Sequence, residues 1–218
     1  MDARRLRSLR ISAAIVLLAI ASVVLVPGFR TPVLRAAGWA LVYEDPIPPS
    51  DAIVVAIDAY GAGVIEAADL VRLGVATRVG VFSDDLNAAD RELARRGVPF
   101  EGNQARSDRM LKALGVATVE HIPGIVVGTE SGGDVVADWC RQRGYRSVVV
   151  VSNTDHSRRL RRVFRRSLRG SGVTVTVKPS RFSNFDPDRW WETRSGVRTE
   201  IVEMQKLLLD LVRHPLPE

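Results

Sequence analysis

Residues Arg146 to Arg166 read RSVVVVSNTDHSRRLRRVFRR. Val148 to Val151 are β-branched without polar alternation, the pattern of a strand buried on both faces. The run ends in a polar turn, Ser152-Asn153-Thr154-Asp155-His156. Leu160, Val163, Phe164 and Leu168 then recur at helical spacing. Strand, turn and helix make half of a βαβ unit. In open α/β sheets ligands bind beyond the carboxyl ends of the strands. This turn is therefore the first place to look for chemistry.

The same alternation extends outward on both sides. Strands are predicted at Ala52 to Ile57, Val79 to Phe82, Ser147 to Val151 and Val173 to Lys178. Another lies within Val119 to Val127, interrupted or flanked by Pro123-Gly124. Helices are predicted at Val64 to Leu73, Asn87 to Arg96, Gln104 to Leu114, Ser131 to Arg143 and Thr199 to Val212, with Ser131 and Asp134 spaced as a capping box. The expected fold class is α/β, a three-layer Rossmann-like sandwich with a mainly parallel sheet. It is preceded by one N-terminal transmembrane helix.

That helix is read from Ile11 to Phe29, about 19 residues without charge against the roughly 20 that span a bilayer. Arg4, Arg5, Arg7 and Arg10 precede it, so residues 1–10 are expected in the cytoplasm and the remainder outside, as a single-pass plasma-membrane protein. A cleavable signal peptide ending near Ala19-Ile20-Ala21 is the competing reading. Residues 30–50 read as a linker with a short helix, Val33 to Val42, capped by Thr31 and started by Pro32. Pro46, Pro48 and Pro49 stiffen its end. Residues 51–213 form the α/β domain and 214–218 a tail.

The net charge is +6. Arg158, Arg159, Arg161, Arg162, Arg165, Arg166 and Arg169 supply much of it. They read as a solvated helix face, or alternatively as a contact for anionic headgroups. No nucleic-acid motif is present, so nucleic acid is not an expected partner. Cys140 is the only cysteine, which excludes an intramolecular disulfide and a cysteine zinc cluster.

Four turns are expected to meet on one sheet edge. They carry Asp58, Gly61 and Gly63; Ser83, Asp84 and Asp85; Thr129, Glu130, Gly132 and Gly133; and Ser152, Asn153, Asp155, His156 and Arg159. Glycines admit close approach of backbone amides to an anion, or simply make tight turns. His156 is the candidate general base, Ser152 a candidate nucleophile and Arg159 a candidate grip on phosphate or carboxylate. Asp58, Asp84, Asp85, Glu130 and Asp155 with His156 form an oxygen-rich set suited to Mg²⁺, Mn²⁺ or Ca²⁺, or else cap helices. The dinucleotide fingerprint lacks its third glycine and nothing resembles a P-loop, so no cofactor is assigned.

Val150-Val151-Ser152, then His156 and Arg159, resembles the signature of the YdcF-like family, with its membrane-anchored SanA- and ElyC-like members. Asp45-Pro46 with Pro49 to Val55, Trp190-Trp191 after Asp186-Pro187-Asp188, and Glu203 with Lys206-Leu207 resemble its other segments. The resemblance covers Asp45 to Leu209. It departs at Ile57-Asp58 and Asp84-Asp85, which stand where the family carries glycines, and at Gly63 and Glu66, where it carries an arginine. It implies a role in cell-envelope or cell-wall integrity and no defined reaction. The expected function is binding or processing of an anionic envelope metabolite, phosphorylated or lipid-linked. The alternative is a non-catalytic envelope factor that binds a partner protein or a lipid headgroup.

Overall fold

A computed structural model describes residues 26–83, 88–98, 101–124 and 126–215. Its centre is a five-stranded sheet. The strands are β1 (Ala52–Val55), β2 (Arg78–Phe82), β3 (Thr118–Ile122), β4 (Ser147–Ser152) and β5 (Thr174–Pro179), in spatial order β3-β2-β1-β4-β5. Every pairing is parallel. This is a Rossmann-like order, and the chain reverses direction across the sheet between β1 and β4.

The two central strands are apolar because both their faces are covered. All four residues of β1 and Val148 to Val151 of β4 are buried. Helices α2 (Tyr60–Arg72) and α4 (Asn103–Ala113) cover one face; α5 (Thr129–Arg143) and α6 (Ser157–Ser167) cover the other. Leu160, Val163, Phe164 and Leu168 all enter the core. Gly133 lets α5 approach α6: a Cβ there would stand 2.7 Å from Ser167 Oγ. Helix α3 (Ala88–Arg95) is peripheral, and α7 (Arg194–Arg213) packs on α6. The described residues thus form a three-layer α/β sandwich.

Several element boundaries differ from the sequence expectation. The third strand begins one residue early, at Thr118, and is flanked rather than interrupted by Pro123-Gly124, because Pro123 has no N–H to donate and Gly124 turns at φ +121°. Helix α5 begins at Thr129, two residues early. Ser131 is then its third residue, and its hydroxyl accepts from the Val127 and Gly128 N–H groups. Helix α7 begins at Arg194, capped by Thr193, whose hydroxyl accepts from Gly196 N–H.

The segment before the domain is not a free linker. Helix α1 (Pro27–Ala40) starts at Pro27 rather than after Thr31, and Pro32 lies inside it. Pro32 has no N–H to offer the carbonyl of Gly28, an exposed residue. The helix lies on the domain: Gly38 abuts Pro187 and Trp190, and Trp190 Nε1 donates to the Leu34 carbonyl at 2.8 Å. Leu41, Phe185 and Leu207 close a second small core there, with Trp190 and Met204 against it. Residues 1–25, which hold the basic tail and most of the expected membrane helix, lie outside the described residues. Among the described residues no helix is long and apolar enough to cross a membrane.

The arginine run of α6 is not a solvated face. Arg161 and Arg165 pair with buried Asp45, Arg162 and Arg166 with Asp210, and Arg166 also with Glu130. Arg158 donates to the Val42 carbonyl at 2.8 Å, and Arg161 stacks over Tyr43 at 3.9 Å. The run fastens the incoming chain and α7 onto α6. Cys140 is buried, and burial pushes its thiol up to about 12, so it is inert packing.

Candidate functional site

The site is built beyond the carboxyl ends of β1 and β4, from three turns and one helix. The β1 turn brings Asp58, the start of α5 brings Thr129, and the β4 turn brings His156 and Arg159. Helix α7 adds Glu203 and Lys206. A cavity of about 190 Å³ opens among them, walled by Ala56, Phe82, Val126, Leu160 and Phe164.

His156 closes a short 3-10 turn, Thr154–His156, and is 3% exposed. Its Nε2 lies 3.3 Å from Thr129 Oγ1 and 3.6 Å from Asp58 Oδ2. Its Nδ1 lies 2.8 Å from Arg159 Nη2 and 3.3 Å from Glu203 Oε2. A guanidinium can only donate, so Nδ1 accepts, which leaves the ring proton on Nε2. Arg159 also donates to Glu203 Oε2 from Nε and Nη2, and to Thr129 Oγ1 from Nη1 at 3.0 Å. Burial works to raise the Glu203 carboxyl. Lys206 and Arg159, joined by His156 whenever its ring is protonated, outweigh it and hold the group at about 2, so Glu203 is an anion at neutral pH.

Arg159 is therefore a positioning residue more than a ligand grip, since most of its N–H groups are used inside the cluster. Lys206 bonds Glu203 Oε1 at 2.6 Å and is half exposed at the cavity, with two N–H groups to spare. Beside it, the first-turn N–H groups of α5 lack intrahelical partners. Gly128 leaves open space where a Cβ would stand. Lysine, helix N-terminus and the spare Arg159 N–H together suit an anion. Asp58 Oδ1 is buried and has no partner among the described residues.

The other sequence candidates lie elsewhere. Ser152 is completely buried and donates to the Asn153 carbonyl at 3.0 Å, so the expected Ser152–His156 nucleophile and base pair does not form. Asn153 Nδ2 donates to the Asp58 carbonyl at 2.8 Å, tying the β1 and β4 turns together. Ser83 bonds the Ile122 carbonyl and borders a second cavity. Gly61 and Gly63 lie inside α2, not in a loop. Gly63 is needed for packing, since a Cβ there would stand 2.5 Å from Ala59 Cβ and 2.9 Å from Val55 Cγ1. Glu130 points away and pairs with Arg166. Asp155 borders a third cavity with Asn153 and Ser183. Asp84 and Asp85 lie outside the described residues.

The expected cation set does not assemble among the described residues. There only Glu130, Asp210 and His214 come close enough to share an ion, and arginines already hold both carboxylates.

Sequence reasoning left Glu203 and Lys206 out of the site. Their three-residue spacing on the last helix is visible in the chain, but only the fold shows that this face meets His156. Glu200, one turn earlier, is 4% exposed with Oε2 unpartnered. Burial, then the charge of Asp155, pushes it up to about 7. No family model, curated protein or solved structure matches the chain.

Proposed function

We propose that this chain is a YdcF-like envelope protein, tethered by its N-terminal apolar stretch with the domain on the extracytoplasmic side. Its crevice between β1 and β4 binds a small anionic metabolite, phosphorylated or lipid-linked. The observation that carries the reading is the convergence of Asp58, Thr129, His156 and Arg159 from three separate turns, beside Lys206 and the open start of α5. The internal charges nearly cancel: Glu203 and Asp58 face Arg159 and Lys206. Affinity for an anion then comes from hydrogen-bond donors rather than from a net positive field.

Binding without turnover is favoured by two features. Ser152 is buried away from the cavity, and Arg159 is committed to Glu203 and His156. Processing of the ligand is the second reading. It draws on the Nε2 proton of His156 with Asp58 Oδ2 at 3.6 Å, a pair able to pass a proton to a departing oxygen.

Titration calorimetry of the full chain in detergent with inorganic phosphate tests the binding. Lys206→Met and Thr129→Val are each expected to weaken it by about ten- to a hundredfold, the equivalent of one charge-assisted hydrogen bond of roughly 1.5–3 kcal/mol. Absence of phosphate binding by the unaltered chain would overturn the reading. Release of phosphate from a phosphomonoester, lost in His156→Gln, would move it from binding to processing.

A further inference from the structure

We infer that the ligand has two parts: an anionic group in the His156 cavity and an uncharged, polyhydroxylated ring in the cavity beside it, which makes a hexose phosphate the class of compound this crevice takes. The inference rests on the anion-binding reading above and names its substrate class.

The second cavity, about 270 Å³, lies over the ends of β1 and β2 and shares Ala56, Ile57, Phe82 and Val126 with the first. The two differ sharply in chemistry. The first is lined by Asp58, His156, Arg159, Glu203 and Lys206. Among the described residues, the second is lined by no Asp, Glu, Lys, Arg or His. A charged group placed there would lose hydration without gaining a charged partner among those residues.

The polar wall of the second cavity is instead amide and hydroxyl. Asn103, Gln104 and Ser107 come from the first two turns of α4, at a spacing that sets them on one helix face, and Ser83 lies at the end of β2. A carboxamide donates and accepts at once, as the Ser107 hydroxyl can, while Ser83, whose proton goes to the Ile122 carbonyl, can still accept. Sugar hydroxyls require that dual capacity. The volume falls below the roughly 300–1,000 Å³ of drug-sized pockets, which fits one ring.

Tyr60 stands at the mouth, 61% exposed, where its ring offers a flat apolar face to the C–H side of a sugar. It is the one described non-glycine residue with positive φ, at 41°. Such a backbone is uncommon outside glycine and clusters at ligand sites. It fixes where the first residue of α2 places its side chain.

Calorimetry of the full chain in detergent, with inorganic phosphate, glycerol 3-phosphate, glucose 1-phosphate and adenosine 5′-monophosphate, tests this. Glucose 1-phosphate is expected to bind at least about tenfold more tightly than inorganic phosphate, with glycerol 3-phosphate between them. Tyr60→Ala, Asn103→Leu and Ser107→Val should each remove most of that advantage and leave the affinity for inorganic phosphate within about twofold. Phosphate binding with no gain from the sugar overturns this inference and leaves the anion site standing. So does equal weakening of phosphate by the three variants. Tighter binding of adenosine 5′-monophosphate overturns the sugar class. Failure of phosphate itself to bind removes the anion site and the inference together.

Discussion

Arg159 Nη2 stands 2.8 Å from His156 Nδ1, and this one contact sets which ring nitrogen carries the proton. In the unaltered protein the proton belongs on Nε2, facing Thr129 and Asp58. Nitrogen-15 spectra of labelled histidine should therefore show the Nε2–H tautomer for His156. In Arg159→Ala the ring is free to turn its proton to Nδ1 and donate to Glu203, 3.3 Å away. The same change leaves a nearly buried carboxylate with Lys206 as its remaining cation. Loss of stability of about 3 kcal/mol is expected, in the range for breaking a buried pair. An unchanged tautomer in the variant would show that Arg159 does not position the ring.

Glu200 and Glu203 lie on the same helix with shifts of opposite sign, which gives the domain two pH windows. Both have an unfolded value near 4.5. Glu203, held at about 2, contributes stability that is present above about 4.5 and lost as pH falls toward 2. Glu200, raised to about 7, binds its proton more tightly folded than unfolded. Its contribution is present below about 4.5 and lost as pH rises through 7. At about 1.4 kcal/mol per unit, that loss is on the order of 3 kcal/mol at most. Glu200→Gln should flatten the fall in melting temperature between pH 5 and pH 8. Glu203→Gln should flatten the acid side and lower stability at pH 7. Parallel profiles for Glu200→Gln and the unaltered chain would refute the first assignment.

The sheet was legible because burial leaves a local mark. Val148 to Val151 can be apolar on both faces only in a central strand, and the stripe Leu160, Val163, Phe164, Leu168 can face only a core. The meeting of Asp58, Thr129, His156 and Arg159 followed from one topological rule about strand ends. What stayed hidden depends on distant partners or on rare backbone. The α6 arginines look solvated until Asp45 and Asp210 arrive from elsewhere in the chain. Gly61 and Gly63 look like a loop because α2 starts on Tyr60, in a conformation its residue type does not advertise. Ser152 reads as a nucleophile in sequence, since nothing local reveals that its hydroxyl turns inward.

The two glycines of α2 should separate by mutation. A Cβ at Gly63 meets Ala59 and Val55 within 3 Å, and both belong to the packed core. Gly63→Ala should cost about 1–3 kcal/mol, the usual range for overpacking. A Cβ at Gly61 has only Met110 Cε nearby, at 3.6 Å, which is ordinary contact. Gly61→Ala should stabilise by roughly 0.5–1 kcal/mol through helix propensity alone. Urea unfolding of both variants measures this. If Gly61→Ala keeps its stability but loses phosphate binding, Gly61 belongs to the anion site after all.

Membrane topology is the remaining expectation with a direct test. The apolar stretch Ile11 to Phe29 follows four arginines, so the domain should lie on the extracytoplasmic side. Helix α1 continues from the end of that stretch and is clamped to the domain by Trp190, whose Nε1 bonds the Leu34 carbonyl while its ring fills the space beside Gly38. Residues 27–40 therefore cannot serve as a long flexible spacer, and the domain must sit close to wherever the stretch is held. A phosphatase reporter fused after Glu218 should be active, since it folds only outside the cytoplasm, and a fluorescent reporter that matures only inside should be dark. Trp190→Ala should loosen α1 and raise protease cleavage between Phe29 and Leu41 without changing either reporter. Cytoplasmic reporter activity would remove the envelope role and, with it, the reason to look for an envelope metabolite in the crevice.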